Sequence, residues 1–153
     1  SVAIVTERIK QTEPRLVIEL GVSSRTNGVK LESVGYNARE ADIPDIDGVY
    51  GLMQPIDNTM PYNFAKGTCW PLEATIKHLR EHAQCKVEVS IDPGRYVCNS
   101  LYWETLQRFP EVMSLFVHIP LLNDINRSSI LETIGLLLDW SLSMLLEQSE
   151  RGS

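Results

Sequence analysis

The sequence predicts an α/β fold, specifically a three-layer α/β/α sandwich with a mostly parallel sheet. Three observations predict it. Short apolar runs alternate with stretches of helical periodicity, and Gly- and Pro-rich turns separate them. The run Met113 to Pro120 is almost continuously apolar, as a strand covered on both faces requires. A length of 153 residues, 43% of them hydrophobic, suits one domain over residues 1–153 with a sizeable core.

Val2, Val5 and Ile9 recur at helical spacing up to Pro14, which predicts a first helix, and Leu16 to Leu20 reads as a buried strand ending at Gly21. Ser23 to Gly28 is turn-rich. Val29 to Tyr36 has the β-branched and aromatic character of a strand, and it carries Glu32. Ala41 to Asn63, rich in Asp, Gly, Pro and Asn, reads as an extended loop or irregular hairpin.

Thr68 and Pro71 announce a helix with Leu72, Ile76, Leu79 and Ala83 in its apolar period and Lys77 and Glu81 on another face. His78 and His82 lie four apart on it; without a third ligand nearby they read as solvated or pairing side chains, not as a metal site. Val87, Val89 and Ile91 form a strand signal that Pro93 and Gly94 break, and Tyr96 to Phe109 is again helical. Ser129 and Glu132 have capping-box spacing at the head of a long last helix. Ile130, Ile134, Leu137, Leu138 and Leu145 would be its buried stripe, and Glu147 to Ser153 a fraying polar tail. Trp140 and Met144 widen its apolar surface, a feature of core packing or of contact in a homo-oligomer.

Composition narrows the function classes. A net charge of -6, from 14 basic and 20 acidic residues, gives no electrostatic support for binding nucleic acid or anionic membranes. The apolar stretch Ile134 to Leu146 is interrupted by Asp139, Ser141 and Ser143 and reads as too short for a membrane span. Glu7, Arg8, Lys10 and Glu13 interrupt the N-terminal apolar run, unlike a signal peptide. Cys69, Cys85 and Cys98 are odd in number and lack CxxC or CxxH spacing, which argues against a disulfide framework and structural zinc and for a reducing, cytoplasmic setting. Cys69 and Cys85 read as packing residues.

The chemistry concentrates at Asp92-Pro93-Gly94-Arg95-Tyr96-Val97-Cys98-Asn99. The turn places Cys98 in the first turn of a helix, where unpaired N–H groups and the positive end of the helix dipole favour negative charge and could hold an oxyanion. His118 lies near the end of the apolar strand downstream. Cysteine with histidine suggests a nucleophile and its base, although a lone cysteine is also what a small buried hydrophobe looks like.

This stretch closely resembles the nucleophile motif of the pyroglutamyl peptidase I family, the pyrrolidone-carboxylate peptidases. Phe116-Val117-His118-Ile119-Pro120 resembles the family's histidine motif, and Leu31-Glu32-Ser33-Val34-Gly35-Tyr36-Asn37, continued by Ile43-Pro44-Asp45, resembles the segment carrying its acid. The motifs occur in the family's order, and the resemblance runs from near residue 2 to about Glu150. It implies the same three-layer fold, with the site at the C-terminal ends of the strands. It also implies a cysteine peptidase that removes N-terminal pyroglutamate from peptides through a thioester on Cys98. His118 would be the base and Glu32 the orienting acid, with Asp45 as the rival for that third role.

No metal or cofactor is implied. Val97, Ile43 and Val22 would flank the substrate ring, and the backbone N–H of Cys98 together with Asn99 would lie near the oxyanion. The chain lacks the family's opening strand and its Gly-Phe-x-Pro-Phe loop, so the resemblance implies an N-terminally incomplete domain. The strand from Leu16 would then lack a neighbour and one wall of the pocket would be missing. Asp42 stands where bacterial members often carry an arginine, with Arg39 close by. The alternatives are an impaired or truncated homologue acting as an interaction protein, and another thiol amidohydrolase on a similar sheet.

Overall fold

The computed structural model describes residues 2–41 and 51–152. Among the described residues, four helices and eight strands follow the alternation read from the sequence: α1 Val2–Thr12, β1 Leu16–Val22, β2 Val29–Glu32, β3 Val34–Tyr36, β4 Arg39–Ala41, β5 Gly51–Gln54, β6 Ala65–Gly67, α2 Leu72–His82, β7 Val87–Ser90, α3 Val97–Arg108, β8 Met113–Ile119 and α4 Arg127–Arg151. The main sheet has the order β1-β8-β2-β7. Its direction follows from hydrogen bonds at the strand ends. Met113 N–H donates to Arg15 at the start of β8 and β1, and Ser23 N–H to Ile119 at their finish, so the two strands run parallel. Val29 N–H to Lys86 and Ser33 N–H to Ser90 bracket β2 and β7 in the same way. A mostly parallel sheet with four helices is the α/β class expected.

The chain divides into two compact units. The first comprises Ser1–Gly21, Glu32–Trp70 and Ser90–Val117; the second comprises Val22–Leu31, Pro71–Val89 and His118–Ser153. In the first, α1 packs on α3, and Tyr102, Leu106 and Phe116 form an apolar cluster joined by Cys98 and Leu101. In the second, α2 packs on α4, and Trp140 donates its indole N–H to Thr75 while His78 stacks on its ring, with centroids 4.5 Å apart. Trp140 is thus a packing residue. His78 also lies against His82, the pairing expected of them.

Several sequence expectations are corrected. Val29 to Tyr36 is two strands, not one: at Ser33 the chain leaves the main sheet, bonds Ser90 through both its N–H and its hydroxyl, and pairs as β3 with β6. β1 is no buried strand. It forms one edge of the main sheet, Leu20 is exposed, and its buried residue is Glu19.

The capping box at Ser129 does not form, because α4 already begins at Arg127 and the Ser129 hydroxyl donates back to the Asn126 carbonyl. The polar tail continues as helix to Arg151, which makes α4 25 residues long. By length and composition alone it is apolar enough to cross a membrane, contrary to the shorter stretch read from the sequence. Its buried stripe is Ile130, Thr133, Leu137 and Ser141, with Leu138 exposed. Cys69 is exposed, its sulfur 3.8 Å from the Val112 carbonyl oxygen, and is no packing residue.

Candidate functional site

The turn before α3 is built from its own side chains. Gly94 adopts φ 78, a conformation that favours glycine, and donates its N–H to the Asp92 carboxylate. Arg95 reaches back to the same carboxylate at 3.0 Å and to the Gly94 carbonyl, while its Nε donates to Asn63. Its guanidinium lies 3.9 Å from the centre of the Tyr36 ring, a cation–π contact. The Tyr36 hydroxyl in turn donates to the Ile91 carbonyl, and Glu40 N–H donates to that of Arg95. The start of α3 is therefore fastened to the segment from β3 to β4 on both sides of the turn.

Cys98 is the second residue of α3, as the sequence predicted, and is half-buried. Its sulfur lies against Gly21 at the end of β1: a Cβ built on Gly21 would sit 2.9 Å from the sulfur and 2.8 Å from the Phe116 ring. Only a residue without a side chain lets β1 and α3 come this close. The first-turn N–H groups of Val97, Cys98 and Asn99 have no partner within the helix by its geometry, which leaves them able to hold an anion there.

Asn99 is fully buried, and its side chain is spent: Oδ1 accepts Tyr36 N–H at 2.8 Å, and Nδ2 donates to the Tyr36 and Ala38 carbonyls at 2.9 Å each. The amide expected near the oxyanion has no polar valence left for it, so only the backbone N–H of Asn99 remains available. Nothing in the sequence distinguished these two uses of one asparagine.

Glu32 ends β2 and is 1% exposed; the Tyr102 hydroxyl, one turn beyond Cys98, donates to its backbone carbonyl at 2.8 Å. Cys98 and Glu32 belong to the first unit. His118, near the end of β8 and 6% exposed, opens the last segment of the second. Val97 and Val22 are 56% and 58% exposed, as positions that could touch a ligand must be. Ile43, Asp42 and Asp45 lie outside the described residues.

One acid escaped the sequence reading. Glu19, an acid inside the run Leu16-Val17-Ile18-Glu19-Leu20, is 6% exposed, and its Oε1 accepts the Thr105 hydroxyl at 2.5 Å. Burial pushes its pKa up to about 7, against the lowering effect of that hydrogen bond. A charged residue interrupting an apolar strand was the available signal.

A cavity of about 690 Å³ lies at the other end of β1 and α3, lined among others by Glu13, Arg15 and Phe109. None of the described residues singled out from the motifs is in its lining.

Comparison with known proteins shows the family. The sequence profile of a family described as pyroglutamyl peptidase matches residues 1–144. A pyrrolidone-carboxylate peptidase of Lactobacillus johnsonii is 30% identical over 164 aligned positions, covering 99% of this chain and 74% of the relative. One from Enterococcus faecalis is 31% identical over 124, covering 77% of this chain and 56% of the relative. The chain thus spans little more than half of one of these relatives and about three quarters of the other. The solved pyrrolidone carboxyl peptidase from Thermococcus litoralis superposes with a TM-score of 0.84 over 96% of this chain and 74% of that one; at 23% identity it speaks to the fold. With a profile match across nearly its whole length and the Asp92–Asn99 turn delivering a cysteine to a helix start, the chain belongs to the pyroglutamyl peptidase family.

Proposed function

We propose that this chain is a cysteine peptidase that hydrolyses the amide bond after an N-terminal pyroglutamyl residue. The observation that carries the reading is the position of Cys98, in the first turn of α3 with its sulfur against Gly21 at the end of β1. His118 takes the thiol proton, and the sulfur attacks the pyroglutamyl carbonyl carbon. The oxyanion that forms lies at the first-turn N–H groups of α3. The C–N bond then breaks, His118 returns the proton to the leaving amine, and a thioester remains on Cys98. Water, deprotonated by His118, hydrolyses the thioester to free pyroglutamate and the thiol.

Glu32 fixes the imidazole tautomer by accepting a hydrogen bond from its other nitrogen. Val97 and Val22 supply apolar surface to a ring that is small and uncharged, and Ile43 completes the set. Three free cysteines and a charge of -6 suit a reducing, cytoplasmic compartment and a peptide substrate better than nucleic acid.

Turnover of a pyroglutamyl-aminocoumarin, abolished by limiting iodoacetamide and absent with the glutamine analogue, is the expected result. No turnover, or full turnover by Cys98→Ala, overturns the reading. His118→Ala should lose more kcat than Glu32→Gln, since orienting a base contributes less than being the base. A larger loss in Asp45→Asn than in Glu32→Gln would move the third role to Asp45.

A further inference from the structure

Strand β1 and helix α3 meet along a short ladder with two rungs. Glu19 and Gly21 are two apart on β1 and share one face of it; Cys98 and Thr105 are seven apart on α3, two turns, and share one face of it. Gly21 meets the Cys98 sulfur, and Glu19 accepts the Thr105 hydroxyl at 2.5 Å. The rung at the site is a bare contact with no directional bond. The rung behind it is a hydrogen bond in the interior.

The second oxygen of Glu19 is buried without a hydrogen-bond partner. That arrangement suits a neutral carboxyl and leaves a carboxylate short of donors. The surroundings do not favour charge. From α3, Tyr102 faces this pocket, its own pKa raised chiefly by burial and further by Glu19 and Glu32; from β2, Glu32 adds a second acid, and from β8 comes the apolar Phe116. Burial accordingly raises the Glu19 pKa to about 7.

We propose that Glu19 is a positioning residue for the nucleophile: through Thr105 it holds α3 at the depth that seats the Cys98 sulfur against Gly21. The inference rests on Cys98 being the nucleophile. Losing the Glu19 proton strengthens the Thr105 bond but leaves the charge on Oε2 without a donor in the interior; the seam between β1 and α3 must shift to solvate it and the sulfur moves with the helix, so the enzyme should lose rate on the alkaline side for a reason that E19Q removes.

The test compares kcat and KM for pyroglutamyl-aminocoumarin in the parent, E19Q, T105V and T105S from about pH 6 to about pH 8.5, together with the rate at which iodoacetamide alkylates Cys98. Every other titratable group is common to the two enzymes, so the ratio of E19Q to parent isolates Glu19. That ratio should rise about threefold or more in kcat across the range, with KM changed less than about twofold. T105V should lower kcat several-fold, and T105S should restore it. A ratio independent of pH, or a T105V enzyme with the parent's kcat, overturns the proposal. If E19Q does not fold, the Thr105 pair decides. If the parent turns over no pyroglutamyl substrate, the proposed function has failed, while the alkylation ratio still decides whether Glu19 positions the sulfur.

Discussion

The Tyr102 hydroxyl donates to the backbone carbonyl of Glu32 at 2.8 Å, so the helix that carries Cys98 is bonded directly to the end of the strand that carries the buried acid. Tyr102 lies four residues after Cys98, on the same face of α3. Tyr102→Phe keeps the ring in the cluster with Phe116 and removes the hydroxyl, with this tie and its hydrogen bonding to Thr68 and to the Phe116 backbone. It should cost about 1–3 kcal/mol in urea unfolding, because a buried carbonyl loses its donor, and it should lower kcat more than it raises KM. Unchanged stability and rate would mean that the bond does not fix either element.

Gly21→Ala places a methyl group 2.9 Å from the Cys98 sulfur and 2.8 Å from the Phe116 ring. Neither neighbour is the free end of a long side chain, so the overpacking should cost about 1–3 kcal/mol. Alkylation of Cys98 by iodoacetamide should slow several-fold while Cys69, which is exposed, keeps its parental rate. Peptide mapping of the label gives both rates in one experiment.

Asn99→Ala leaves Tyr36 N–H and the carbonyls of Tyr36 and Ala38 without their partner in the interior. A loss of about 2–4 kcal/mol is expected. Asn99→Asp should be no milder: it keeps an acceptor for Tyr36 N–H but turns a second oxygen toward two carbonyl oxygens. Chemical denaturation of the two variants beside the parent checks the ordering.

Stability should fall with rising pH through Glu19. Its folded pKa, about 7, stands above the ordinary value of 4.5, so the folded state holds its proton longer than the unfolded chain does. The contribution is whole below about pH 4.5, declines as pH rises toward 7 and is gone above it. Its size is on the order of 3 kcal/mol for a shift of this extent. Glu19→Gln should flatten this part of the profile, and urea midpoints across that range for parent and variant would show whether it does.

The elements that were legible are those whose signal is local. Pro93 and Gly94 announced the turn, the period of Tyr96 to Phe109 announced α3, and Cys98 followed from the two together. The continuous apolar run of β8 put His118 near a strand end and in the interior, where it is found.

What escaped was set by partners distant in sequence. The break of Val29 to Tyr36 at Ser33 depends on Ser90 and on the pairing of β3 with β6, neither of which leaves a mark within the strand. Whether Asn99 faces a substrate or a backbone is decided by Tyr36 and Ala38. Glu19 was passed over because a carboxyl in an apolar strand reads as an interruption until Thr105 is seen beside it. Ser129 and Glu132 had the right spacing for a cap, but the helix began two residues earlier.

The ties that seat α3 span long stretches of chain: Asn99 to Tyr36 is 63 residues, Tyr102 to Glu32 is 70, and Thr105 to Glu19 is 86. A helix such as α3 can flicker into existence as soon as its own residues are made, whereas bonds across such separations must wait for the closure of large loops. Glu19, Glu32 and Tyr36 all precede α3 in the chain, so during synthesis the partners of these three ties are already made when Cys98 emerges, and loop closure is fast beside the addition of a residue. Phe116, which belongs to the cluster that Cys98 joins, is made only afterwards, so the surroundings of this cysteine close in two stages, with the β8 side last.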